Sequence, residues 1–195
     1  MRIRWYSAPM EIRAATLSDL DRIAEIDGTI ESSRYLHLER AGEGIAASWS
    51  LEERPLRTKR VDANALDDER KFEMRQVLSG IEEGYGLAAE HEGELTALAV
   101  ARIDLSASLL LIIDVRVDYD QRRQGIGSAM LYQLIGKARE RALRAVKGQT
   151  LTNNFPSSQF FAKAGFELTG FDTHRVSNHD LVKEAVVLFW YAAIG

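Results

Sequence analysis

The apolar spacing of this chain is clearest at its middle. Leu109 to Val117 is an apolar run, short enough for a buried strand, and a polar turn follows it. Behind Gly127 the apolar or small residues Leu131, Leu134, Ile135, Ala138 and Ala142 recur at three- and four-residue steps, which predicts one buried face of a long helix running to about Arg144. Upstream, Met10 to Ala15 alternates as a strand. Thr16 then reads as an N-cap, Asp19 lies near the positive helix end, and Leu17, Leu20, Ile23, Ala24 and Ile26 form the apolar face of a helix stopping at Gly28. Arg34–Arg40 and Ile45–Glu52 flank Ala-Gly-Glu-Gly as a hairpin. Leu66–Ser79 is a second helix, with Leu66, Phe72, Met74, Val77 and Leu78 apolar and Gly80 as its end. Tyr85–Glu90 and Leu95–Leu105 form a hairpin around His91-Glu-Gly-Glu94. After the long helix come a strand over Val146–Thr152, a short helix opened by Asn153-Asn-Phe-Pro156, and strands over Phe166–Phe171 and Ala185–Tyr191. This reads as about seven strands and four helices around one sheet: mixed α/β.

Length and composition narrow the class. At 195 residues and 46% apolar content the chain can bury one sizeable core, so a single domain over 1–195 is expected. The net charge of −4 is spread along the sequence, which argues against wholesale nucleic-acid binding. There is no cysteine, which removes disulfides, Cys-ligated zinc and a thiol nucleophile. No apolar stretch reaches the length of a membrane span, and the N-terminus lacks a signal-peptide core, so a soluble, cytoplasmic protein is expected. His174 and His179 lack metal-ligand spacing, and no second His follows His91-Glu92 in a zincin position, so no metal is expected. No Gly-x-Ser-x-Gly elbow exists. Trp5, Trp49 and Trp190 read as core or edge packing. Arg54, Arg57, Lys59 and Arg60 read as a solvated basic loop, with an anion site as the other reading.

The turn after the central strand carries the chemistry. Gly125 and Gly127 let backbone N–H groups approach a ligand, the positive end of a helix dipole points into the same turn, and Arg122 and Arg123 add charge. That makes an anion site, most naturally for phosphate. Met130 breaks the Rossmann fingerprint, and Walker A's Gly-Lys-Ser/Thr is absent. Arg122-Arg-Gln-Gly125-Ile-Gly127 instead resembles the acyl-CoA pyrophosphate loop of the GNAT N-acetyltransferases, Q/R-x-x-G-x-G/A. Asn154-Phe-Pro-Ser-Ser-Gln-Phe-Phe-Ala-Lys-Ala-Gly-Phe166 resembles that superfamily's second cofactor segment. Gly170-Phe-Asp-Thr173, Leu188-Phe-Trp-Tyr191 and Ile23-Ala-Glu-Ile-Asp-Gly28 are similar to segments of the streptothricin acetyltransferases.

The resemblance implies a GNAT fold: a mixed seven-stranded sheet flanked by about four helices, split between its fourth and fifth strands, with the pantetheine arm in the split. It implies acetyl transfer from acetyl-CoA to a primary amine of a small molecule, in that family a streptothricin-type antibiotic. A protein or peptide N-terminal acetyltransferase and a non-catalytic acyl-CoA-binding module are the alternatives. Dimers are common in the superfamily, so a homodimer is within the expectation. The N–H groups of Arg123, Gln124, Gly125, Ile126, Gly127 and Ser128, beside Arg122, would hold the pyrophosphate. Those of Val115 and Val117 would hold the pantetheine and polarise the thioester. Asn154 would contact the pantetheine, cap the following helix, or both. Phe161 stands at the cofactor position where many members place a general-acid Tyr; Phe cannot donate a proton, which leaves water, Tyr119 or Tyr191 as the source. Asp114 is the candidate base, either a desolvated carboxylate with raised pKa or a structural partner of Arg102 or Arg116. Asp27, Glu31, Asp172 and Glu184 are candidate groups for a cationic acceptor. His174-Arg-Val176 departs from the streptothricin pattern, and an inward Arg175 would repel a polycation.

Overall fold

The computed structural model describes residues 11–195; Met10 of the expected first strand, and Trp5, lie outside the described residues. The elements follow as β1 (Glu11–Ala14), α1 (Leu17–Asp21), β2 (Ile30–Ala41), β3 (Ser48–Asp62), α2 (Asp68–Leu78), β4 (Gly84–His91), β5 (Glu94–Asp104), β6 (Leu109–Val117), α3 (Ile126–Glu140), β7 (Ala145–Leu151), α4 (Phe155–Lys163), β8 (Glu167–Asp172) and β9 (Val187–Ala193). Seven strands form one mixed sheet in the order β1-β4-β5-β6-β7-β9-β8. The expectation of one sheet needs correction: β2 and β3 leave it and pair only with each other as a long two-stranded arm.

Within the sheet every pairing is antiparallel except β6 with β7. That parallel pairing holds at Leu109–Ala145, Leu110–Val146 and Leu111–Lys147 and then stops. Above those pairs the fourth and fifth strands of the sheet diverge, leaving the upper edge of β6 unpaired. Both faces of the central strands are covered, which is why β5 and β6 are nearly continuous in apolar residues. On one face α3 lays Met130, Leu131, Leu134 and Ala138 against the small side chains Ala97, Ala99 and Ala101 of β5. On the other, α1 and α2 bring Leu20, Met74 and Val77 onto Leu98 and Val100. Phe72 departs from the expected apolar face of α2: it points outward and is 62% exposed.

Local chemistry explains most boundaries. The β4–β5 turn places Glu92 and Gly93 at φ 52° and 89°, two left-handed residues whose twist suits a tight hairpin. Helix α3 ends at Glu140 rather than near Arg144, because Ala142 turns left-handed (φ 56°) and the Leu143 N–H bonds back to the Ala138 carbonyl at 2.9 Å. No glycine marks that stop. Helix α1 closes after little more than one turn, and the chain is already extended at Ile26, so Gly28 is not its cap.

Helix α1 is tied to the sheet by charge. Asp19, 1% exposed, accepts hydrogen bonds from Arg13 on β1 at 2.9 and 2.7 Å and from the Thr16 N–H at 2.7 Å. Arg13 and Arg22 also meet on Glu90 of β4. The Arg13 guanidinium holds the Asp19 carboxyl down at about 2, from an ordinary 3.8. A depressed folded-state value stabilises the fold above the unfolded pKa, and that contribution is lost as pH falls through the folded one. Stability measured by urea unfolding should therefore drop as pH falls from about 4 to about 2, and Arg13→Met should flatten that drop. An unchanged slope in the variant would show that other carboxylates set the acid limb.

Candidate functional site

The turn between β6 and α3 is built from two left-handed residues and a helix start without a side-chain cap. Arg123 (φ 63°) and Gly125 (φ 87°) curl the backbone, and α3 begins at Ile126 with Gly125 as N-cap. The N–H groups of Ile126, Gly127 and Ser128 have no carbonyl one turn back to bond, so they present an uncapped positive helix end. Gly125 is needed for its backbone angle, since the space around it is open. At Gly127 a Cβ would lie 3.4 Å from both the Phe160 ring and Val117, an ordinary contact distance that shows how closely the start of α3 packs on β6 and α4.

Arg122 differs from its expected role. Its side chain turns away from the helix end, donating through Nε to the Val117 carbonyl at 3.0 Å and through its two terminal nitrogens to the carbonyls of Thr29 and Asp27. Burial lowers its pKa from the ordinary value, with Asp27 acting in the opposite sense. Arg122 thus fastens the turn to the segment after α1. The Tyr119 N–H reinforces this by donating to the Asp27 carbonyl at 2.9 Å.

The open edge of β6 can be oriented from its bonding. Asp118 donates its N–H to Thr96 of β5 at 2.8 Å, and successive N–H groups on a strand alternate in direction. Asp114, Arg116 and Asp118 therefore point toward β5, whereas the N–H groups of Val115 and Val117 point into the split. A register shift between Val100 and Ala101 of β5, opposite Asp114 and Ile112, sets this alternation. Asn154 lies across the split at the start of α4, where its side-chain oxygen accepts from the Ser157 N–H at 3.2 Å.

Several expected residues stand elsewhere. Phe161 is buried at 5% exposure, with its ring 5.1 Å from Phe166 and 6.3 Å from Trp190. It lies so close over Gly148 that a Cβ there would be 2.5 Å from the ring. The aromatic beside the turn is Phe160, which the sequence reading did not single out. Tyr191 pairs with Lys147, itself level with Leu111. It therefore sits about 13 Å below Val115, four residues along the strand direction. Its hydroxyl accepts from Arg144 at 2.9 Å, at the end of the sheet away from the turn. Tyr119 donates its hydroxyl to Glu31 at 2.9 Å.

Asp114 is buried, as expected, but it is paired. One carboxylate oxygen lies 3.1 Å from Arg116 Nε and the other 3.5 Å from Arg70. Arg116 also donates to the Asn64 carbonyl at 3.0 Å and fills the space beside Gly28, where a Cβ would meet its Nη1 at 2.7 Å. Its Nη2 is buried without a partner among the described residues. The partner is thus Arg116, one of the two arginines the sequence offered; Arg70 was not foreseen.

The four carboxylates proposed for a cationic acceptor do not converge. Glu31 is taken by Lys59 and Tyr119, Asp27 by the Thr29 N–H, Asp172 by the His174 N–H, and Glu184 by His37 Nδ1 at 2.7 Å. Glu184 lines a cavity. This cleft of about 480 Å³ lies between the β2–β3 arm and the segments around Asn153 and Lys183. The arm is held over the end of β7 by the Leu36 N–H, which donates to the Thr152 carbonyl at 2.9 Å. The expected basic loop is strand: Arg54, Arg57, Lys59 and Arg60 all lie on β3. The pairing runs from Ser32–Arg60 directly to Arg34–Pro55, so Leu56 to Lys59 bulge out opposite Ser33, and Leu56, Arg57 and Thr58 form one wall of the cleft.

Comparison with known proteins agrees with this geometry. The model of the acetyltransferase (GNAT) family matches residues 47–166. Streptothricin acetyltransferase A of Bacillus subtilis (strain 168) is 33% identical over 81 residues, 42% of this chain and 46% of the relative. The streptothricin acetyltransferase of Escherichia coli is 27% identical over 95 residues, 47% of this chain and 55% of the relative. These two matches span about half the length of each relative. The streptothricin acetyltransferase of Streptomyces lavendulae is 24% identical over 168 residues, 86% of this chain and 87% of the relative. Among solved structures, a nourseothricin acetyltransferase superposes with a TM-score of 0.77 at 19% identity, covering 96% of this chain and 100% of that one. A Bacillus anthracis (strain Ames) protein in complex with acetyl coenzyme A gives 0.73 at 20% identity, covering 97% and 99%. At these identities the structures speak for the fold. With the family model over more than half its length, the chain belongs to the acetyltransferase (GNAT) family.

Proposed function

We propose that this protein is an acetyl-CoA-dependent N-acetyltransferase acting on a primary amine of a small molecule. One observation carries the proposal: an uncapped helix N-terminus behind two left-handed residues stands at the mouth of a split whose β6 edge is unpaired. The N–H groups of Arg123, Gln124, Gly125, Ile126, Gly127 and Ser128 suit a pyrophosphate. Those of Val115 and Val117 suit a pantetheine arm and a thioester carbonyl. Asn154 keeps its amide N–H₂ for the same ligand while its oxygen caps α4. Acetyl-CoA supplies an acyl group already activated as a thioester. The chain has no cysteine, so direct attack by the amine is the economical route.

The acceptor must reach the site as a neutral amine, against a reference pKa of about 10.4. With Asp114 held between Arg116 and Arg70, we assign the proton to solvent water, and Asp114 acts by keeping Arg116 in place. Of the two tyrosines the sequence offers as proton source, Tyr191 is at the far end and Tyr119 is bonded to Glu31. Thiolate departure then relies on its own modest basicity, a thiol pKa of about 8.5. Three curated relatives are named for streptothricin, which makes it the first acceptor to assay.

Release of coenzyme A thiol, followed with a thiol reagent, should depend on an added amine; release that ignores every amine would favour a module that only binds acyl-CoA. Gly125→Asp should abolish acetyl-CoA binding in calorimetry while the circular dichroism stays native, since it forces a side chain into left-handed backbone and sets a carboxylate at the anion site; full affinity would remove the pyrophosphate assignment. Asp114→Asn should lower stability by about 3 kcal/mol in urea unfolding, the cost of breaking a buried ion pair, yet keep kcat within about tenfold. A fall in kcat of about a hundredfold or more at unchanged stability would make Asp114 the general base.

A further inference from the structure

The cleft beneath the β2–β3 arm has a charge pattern that bears on which amine this protein accepts, an inference that rests on the acyl-transfer reading above. Three cations line it: Arg57 and Arg60 from the β3 wall, and Lys183 from the opposite side. Arg60 is matched by Asp62 at 2.9 Å. Lys59, the other cation of the bulge, is taken by Glu31. Arg57 and Lys183 have no carboxylate partner among the described residues. The one carboxylate in the lining is Glu184, engaged by His37. With Glu184 engaged by His37, Arg57 and Lys183 leave the cleft with an excess of positive charge.

Position makes that charge informative. Asn153, also in the lining, directly precedes Asn154, the cap of α4 on the far side of the split. The Leu36–Thr152 hydrogen bond fixes the arm at the top of β7. The bulge that carries Arg57 interrupts an otherwise regular ladder of two long strands, and bulges commonly re-aim side chains beside binding sites. Like charges gathered in a concave space repel unless an anion joins them, and the walls concentrate their field. A polycation would meet that field unfavourably.

We propose that the cleft holds the carboxylate of an amino-acid-like acceptor, with Arg57 and Lys183 binding the acid end while the amine end faces the split. The planar guanidinium of Arg57 suits two-point contact with a carboxylate, and the excess of positive charge suits an anion. Selection between acceptors then rests on a charge next to the amine.

The test is calorimetry with β-alanine, γ-aminobutyrate and lysine, each against its own amide, titrated into the protein with and without coenzyme A. At least one acid should bind up to about fivefold more tightly than its amide, as expected for a solvent-exposed charge contact, and added salt should weaken the preference. Arg57→Gln with Lys183→Gln should erase the preference while thermal unfolding and acetyl-CoA affinity stay at the wild-type values, and Arg57→Lys should restore part of it. Amides or streptothricin binding as tightly as every acid, or a preference that survives the double replacement, would overturn the proposal. Acetyl-CoA affinity, read in the same titrations, reports separately on the acyl-transfer reading, so failure of one does not pass for failure of the other.

Discussion

The parallel contact between β6 and β7 ends after Leu111 and Lys147, and the site depends on that ending. Had the two strands stayed paired, the N–H groups of Val115 and Val117 would be spent on β7. Because the strands part, an edge stands open inside the fold, between a helix start on one side and the cap of α4 on the other. An open edge is normally a hazard for a sheet. Here the β2–β3 arm reaches over the end of β7, where the Leu36 N–H donates to the Thr152 carbonyl, and α4 packs beside the start of α3.

Holding such a gap open takes internal ties, and two arginines provide them. Arg122 fastens the turn after β6 to Asp27 and Thr29, and Arg116, oriented by Asp114 on its own strand, fastens β6 to Asn64. Both use the several donors of a guanidinium to hold backbone that has no regular ladder to join. Charge that the sequence suggested for ligand and catalysis is thus spent partly on architecture. Among the cations that line the cleft, Arg57 on the bulged strand and Lys183 before β9 have no carboxylate partner among the described residues.

Features with a local cause were legible in the sequence. The central strand, the glycine-rich turn, the start of α3, the hairpin at Glu92-Gly93 and the cap of α4 by Asn154 each follow from residues within a few positions of one another. What escaped was set by distant packing. Nothing near Arg34 or Trp49 says that β2 and β3 leave the sheet, and the bulge over Leu56 to Lys59 exists only relative to Ser33. Whether Phe160 or Phe161 faces the turn depends on the rotation of α4, which Gly148 decides by admitting the Phe161 ring against β7. The destination of Arg122 depends on carbonyls of a segment some ninety residues earlier. Tyr191 fell at the wrong end because strand register, and hence depth along the sheet, is invisible to spacing alone.

The central claim is that acetyl-CoA lies along the open edge of β6 with its pyrophosphate on the start of α3. Amide chemical shifts recorded while acetyl-CoA is titrated into nitrogen-15-labelled protein test it most directly. The account predicts saturable shifts at Val115, Val117 and the amides from Arg123 to Ser128, with Tyr191 and its neighbours at the far end of β9 left in place. Shifts confined to the cleft around Arg57 and Asn153, or none at saturating ligand, would contradict it.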